Sequence, residues 1–183
     1  MLPPIPSWDG LHPLVVHFPI ALLMVAPLFI LAGIAFRGRE IWPLVSALTL
    51  MVLGTLAAFV AVSTGEAAAE LVMETAANAE VLDLHEELAE KTQVVFAILT
   101  GIYALLVILP AALKRPLSPR IAIIAHSLFL LVYAGALLLL VNTAHQGGLL
   151  VHQHGVRAKV AQPVPKILPA TGREAEELER EKD

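Results

Sequence analysis

The chain has 183 residues, of which 57% are hydrophobic and 15% charged, with a net charge of −4 and a mean hydropathy of +0.77. Soluble domains average ~45–50% apolar and ~25% charged residues, so this composition is that of a membrane protein. The absence of cysteine excludes disulfides, iron–sulfur clusters, thiolate nucleophiles, c-type haem attachment and thiolate zinc sites. The acidic balance leaves no electrostatic footprint for nucleic acid.

In chain order, residues 1–10 do not read as a cleavable signal, because they lack a basic start and carry Pro3, Pro4, Pro6 and Asp9. Four stretches then reach the ~20 apolar residues that a hydrocarbon layer ~30 Å thick requires. They are residues 14–36, 41–63, 93–113 and 121–141, and none contains Asp, Glu, Lys or Arg. Backbone polar groups must be satisfied internally in lipid, so each is expected to be helical. The reading is an all-α integral membrane four-helix bundle, with a four-span domain over residues 1–161. Small residues that permit close helix approach stand on span two (Gly54, Ala57, Ala58, Ala61, Gly65) and span four (Ala134, Gly135). Pro19 has no N–H for the carbonyl of Val15 and is expected to kink span one.

Arg37-Gly38-Arg39-Glu40 makes a basic turn after span one, and Lys114, Arg115 and Arg120 make a second one after span three. The positive-inside rule places both in the cytoplasm of a bacterial inner membrane, with both chain termini external. Between spans two and three, residues 64–92 hold eight acids and one lysine. This Ala- and Glu-rich segment is expected to form a short external helix, followed by a third helix extended outward from about Asn78. On it Val81, Leu84, Leu88 and Ala89 form an apolar face that also carries His85, while Glu86 is expected to point elsewhere. Residues 162–183 contain Pro163, Pro165 and Pro169 followed by a charged run, and read as a flexible tail.

Seven histidines are the chemical feature of the chain. At ~1.5 Å per residue, His17 stands about 30 Å above the basic turns, His12 and His145 about 37 Å, and His85 about 43 Å. His152 and His154 follow span four on the same side and read as loop residues. Only His126 lies near the basic end, where an interhelical hydrogen bond is expected of it. Imidazole is the commonest metal ligand and a haem axial ligand, and helix bundles hold such groups between facing helices. The candidate cofactor ligands are therefore His17 and His85, with His12, His145 and His154 as further members. Glu66 and Glu70, four residues apart after span two, are candidate carboxylates beside them. No nucleophile–base pair, phosphate loop or His-Glu-x-x-His zinc signature is present.

The opening His12-Pro13, His17-Phe18-Pro19 and the ending Gly147-Gly148-Leu149-Leu150-Val151-His152-Gln153-His154-Gly155-Val156 resemble a bacterial family of predicted four-helix membrane proteins, domain of unknown function 2231. Thr64-Gly65 and His85 match two further elements of that pattern. The resemblance covers residues 11–156. It implies outward-facing histidines at His12, His17, His85 and His154, and omits His126 and His145. The family's association with cytochrome-type domains implies electron transfer by analogy alone.

The expectation is a membrane electron-transfer or accessory subunit rather than an enzyme. It binds haem b through the outer histidines, or copper through the same residues, and meets a periplasmic or membrane redox partner. The alternative is an assembly subunit with structural histidines, whose acidic segment docks a basic partner. A transporter is disfavoured by spans without acidic or basic residues.

Overall fold

A computed structural model of the chain describes residues 5–36, 40–72, 75 and 77–156. The first basic turn (Arg37, Gly38, Arg39) and the expected tail lie outside them. A 3₁₀ turn, Asp9–Leu11, leads into α1 (His12–Val15) and α2 (His17–Ala35). Three long helices follow: α3 (Trp42–Ala69), α4 (Ala79–Ala112) and α5 (Pro119–His152). No strand occurs among the described residues. Four helical segments, Asp9–Ala35, Trp42–Ala69, Ala79–Ala112 and Pro119–His152, are long and apolar enough to cross a membrane.

Proline marks the starts. Pro13, Pro43 and Pro119 stand in the first turns of α1, α3 and α5, where a missing N–H costs nothing. α1 and α2 meet at Val16, three residues before Pro19, and Val16 itself keeps helical dihedrals, φ −56° and ψ −27°. At the end of α4, Lys114 adopts a left-handed φ of 51°. This lets its own N–H and that of Arg115 return to the carbonyls of Ala111 and Pro110.

α2 packs on α3 and α5, and α4 packs on α3 and α5, which gives a ring of four antiparallel helices. The core is one cluster along the axis. It contains Leu23, Ala26 and Ile30 of α2 and Leu44, Ala47 and Met51 of α3. From α4 it takes Phe96, Leu99 and Tyr103, and from α5 Phe129, Tyr133, Ala136 and Leu140. The outward face is as apolar as the core, with Leu131 73% and Leu138 74% exposed. That is the arrangement of a helix solvated by lipid.

Apolar burial gives no net drive in lipid, so packing and hydrogen bonds decide the seams. Between α2 and α3, a Cβ at Gly54 would stand 2.8 Å from Leu23 Cδ2, and one at Gly33 would overlap Leu44. Thr55 and Thr100 hydroxyls meet at 2.8 Å between α3 and α4, and Thr92 and Thr143 at 2.8 Å between α4 and α5. Between α5 and α2, the Tyr133 hydroxyl donates to the carbonyl of Leu23 at 2.8 Å. That carbonyl is free because Pro27, four residues on, has no N–H.

Three expectations are corrected. Gly135 and Ala134 are exposed, with nothing within 4 Å of a Cβ at Gly135, so they do not face another helix. No separate external helix forms between spans two and three among the described residues. The Ala-rich residues after Ser63 prolong α3, and α4 runs unbroken from Ala79. Nor does His126 bond across helices. It is 5% exposed, and its Nδ1 lies 2.8 Å from Ala122 O on its own helix.

Candidate functional site

At 34 residues, α4 and α5 are each about 51 Å long, well beyond a hydrocarbon layer of ~30 Å. Their surplus, with the end of α3 and with α1, makes an extension of the bundle. The outer histidines gather there.

α1 packs on α3. His12 Nδ1 lies 2.9 Å from the carbonyl oxygen of Ala61 and 3.4 Å from Thr64 Oγ1. A carbonyl only accepts, so Nδ1 carries the proton and Nε2 the lone pair. The ring rests on Gly65, where a Cβ would stand 2.9 Å from His12 Cε1. The second hairpin repeats the arrangement. His85 Nδ1 lies 3.0 Å from the carbonyl oxygen of Thr143, and a Cβ at Gly147 would stand 2.9 Å from His85 Cε1.

In both cases the accepting carbonyl precedes the glycine by four residues, Ala61 before Gly65 and Thr143 before Gly147. Residues i and i+4 stack on one helix face, so a side chain at the second position would cover the carbonyl of the first. Glycine leaves the imidazole room to reach it. The Thr143 hydroxyl fixes this seam further, donating to Leu139 O at 3.0 Å and lying 3.2 Å from Leu88 O.

His12 and His85 face one half-open, mostly apolar cavity of about 560 Å³. Ile20, Ala58, Gln93 and Leu140 line its deep part, and His17 and His152 also border it. Gln93 Oε1 is buried there without a hydrogen-bond partner among the described residues. His85 stands outside the apolar spans. Burial holds its imidazole below the ordinary value, opposed by the bond to Thr143 and reinforced by nearby His12. A neutral ring keeps the Nε2 lone pair available.

Of the five candidate ligands, the structure brings His12, His17 and His85 to the cavity and leaves His145 and His154 off its wall. His145 is exposed, because Thr143 and Gly147 face α4 and His145 points roughly 200° away from each. His154 lies beyond the end of α5 and is half-buried. His17 is exposed, and among the described residues no hydrogen bond holds its ring.

His152 is no loop residue. It is the last residue of α5 and borders the cavity. Glu86 also borders it, contrary to expectation, while Leu84 is exposed. The inward stripe of α4 therefore runs Leu82, His85, Glu86, Ala89, Gln93. Glu66 reaches the wall and Glu70 does not. Among the described residues, no three His, Cys, Asp or Glu side chains are grouped to hold a metal ion.

No curated protein and no solved structure matches the chain. The profile of a family described as a predicted membrane protein, domain of unknown function 2231, matches residues 9–160. With most of its length covered by that profile and its four apolar helices in place, the chain belongs to this family of membrane proteins.

Proposed function

We propose that the chain is a membrane electron carrier that binds haem b in the outer cavity, with His12 and His85 as axial ligands. One observation carries the reading. Two imidazoles from different hairpins each have Nδ1 committed to a helix carbonyl and Nε2 without a hydrogen bond among the described residues, and both face one apolar cavity. Such Nδ1 bonds fix tautomer and ring orientation in ligating histidines. A cavity of about 560 Å³ lies within the range of small-molecule and cofactor sites, roughly 300–1,000 Å³.

Cofactors differ in the donors they take. A porphyrin iron takes one or two protein axial ligands, whereas a bare zinc ion is held by three or four protein ligands and a blue-copper ion by three or more. Copper held by the same two rings is the alternative occupant. When bound, haem supplies one-electron exchange between its ferric and ferrous forms. The protein holds the two rings, keeps them neutral, and surrounds the group with apolar walls. Lys114, Arg115 and Arg120 stand at the opposite end of the bundle. Their charge supports a cavity on the external side of a bacterial inner membrane, facing a periplasmic or membrane redox partner.

The test is the visible spectrum of detergent-purified protein produced with ample haem. A low-spin bis-imidazole spectrum is expected, with a haem content of about one per chain from the two-ligand geometry. His12→Ala and His85→Ala should each abolish it, and His145→Ala should not. A colourless protein, or a spectrum indifferent to His12 and His85, overturns the proposal and leaves the assembly-subunit reading.

A further inference from the structure

The cavity mouth is divided by charge type between two helix seams. Glu66 of α3 and Glu86 and Glu90 of α4 border it on one side, and α3 packs on α4. His17 of α2 and His152 of α5 border it on the other, and α2 packs on α5. No lysine or arginine among the described residues borders the cavity. The rings of His12 and His85 are committed through Nδ1 to backbone carbonyls. The rings of His17 and His152 are exposed and make no hydrogen bond among the described residues.

The positions of the first pair fix the plane of anything held between them. His12 precedes α2 and docks on α3, which places it at the α2–α3 seam. His85 lies on α4 and docks on α5, at the α4–α5 seam. The line joining them crosses the bundle. A flat macrocycle perpendicular to that line has two lateral edges toward the remaining seams, α3–α4 and α2–α5, besides one toward the deep apolar part and one toward the open mouth. One of these seams carries carboxylates, and the other carries imidazoles able to donate hydrogen bonds or positive charge.

We propose that His17 and His152 receive the two carboxylates of a planar dicarboxylate macrocycle, so that the propionate edge lies at the α2–α5 seam. The assignment rests on the haem reading and adds the orientation of the group. It gives His17 the role of holding the periphery of the cofactor rather than its iron. It also gives a role to His152. Placing the same edge at α3–α4 would set carboxylate against carboxylate.

The test compares iron(III) protoporphyrin IX with its dimethyl ester, which keeps the ring and iron but lacks the anionic groups. Apoprotein is titrated at the Soret band, and transfer of bound porphyrin to apomyoglobin is timed. Wild type, His17→Gln, His152→Gln and the double variant are compared. His145→Gln serves as the control, because it replaces an exposed α5 histidine off the cavity. The double variant should bind the diacid about tenfold more weakly, as expected on losing charge-assisted hydrogen bonds. It should release the diacid faster, bind the ester as wild type does, and keep the bis-imidazole spectrum.

Equal retention of the diacid by wild type and double variant overturns the assignment while leaving the haem reading intact. So does an equal loss of diacid and ester. Failure of wild type to bind either porphyrin removes both. Both positions are exposed, so the variants fold, and circular dichroism checks this.

Discussion

Tyr133→Phe isolates one hydrogen bond whose acceptor has no substitute. The ring stays, with its contacts to Phe96 and Phe129 at centroid distances of 5.4 and 5.9 Å. The hydroxyl that donates to Leu23 O at 2.8 Å is lost. In an ordinary helix, the N–H of residue 27 would occupy that carbonyl, but proline has none. Leu23 is fully buried, so lipid headgroups and bulk water do not reach it. Interhelical hydrogen bonds in membranes average about 0.6 kcal/mol and reach about 1.7 kcal/mol, because broken partners usually find others. Here none is at hand. The loss should lie at the upper end, about 1.5–2 kcal/mol, within the ~1–3 kcal/mol range for an orphaned buried acceptor. The assay is reversible unfolding in mixed detergent–SDS micelles, arranged as a double-mutant cycle with Pro27→Ala. The Pro27→Ala change restores an N–H four residues after Leu23, so Tyr133→Phe should cost much less in that background. Additive effects, with coupling below about 0.3 kcal/mol, would refute the claim that proline and tyrosine share one carbonyl.

Gly65→Ala and Gly147→Ala should each displace an imidazole from its carbonyl, since the new methyl would stand 2.9 Å from the ring. Porphyrin titration should show loss of binding, although alanine favours helix over glycine by about 1 kcal/mol and the melting temperature should hold or rise. Gly54→Leu should destabilise by about 1–3 kcal/mol through overpacking against Leu23, while Gly135→Ala, in open space, should not lower the melting temperature in detergent. Lys114→Gly should stabilise by about 0.5–1 kcal/mol, because glycine takes a left-handed φ without the cost that a side chain brings; an unchanged midpoint in SDS unfolding would count against this. A reporter fused after Asp183 should behave as external and one within residues 37–40 as cytoplasmic, and the reverse pattern would invert the orientation.

The spans were legible in the sequence because lipid imposes a constraint that each segment meets alone. About twenty uncharged residues must form a helix wherever their neighbours stand. The helix start at Pro43 and the gathering of most histidines at one end follow from rules equally local to the chain. The helix faces were not legible in the same way. Every span is apolar all round, so periodicity does not separate the core side from the lipid side. That is why Gly54 and Gly135 read alike in sequence and face opposite ways in the fold.

The candidate site divides along the same line. His12, His17 and His85 stand out in the sequence as imidazoles near the outer end of the spans. Which of them are held rigidly depends on two backbone carbonyls, Ala61 and Thr143, that no side-chain pattern displays. The repeat shared by the two hairpins consists of a carbonyl and a glycine four residues later, so it left no similarity that sequence comparison of the hairpins could detect. His145 and His152 are seven residues apart on α5, nearly two full turns, and their separation by roughly 20° does not tell them apart. His152, the last residue of α5, borders the cavity, whereas His145, lower on the helix, is exposed and off its wall. The sequence alone determined a membrane bundle with six of its seven imidazoles at one end, because hydropathy and proline act locally. Only tertiary packing decided which rings share a cavity, because that depends on where one helix presents its backbone to another.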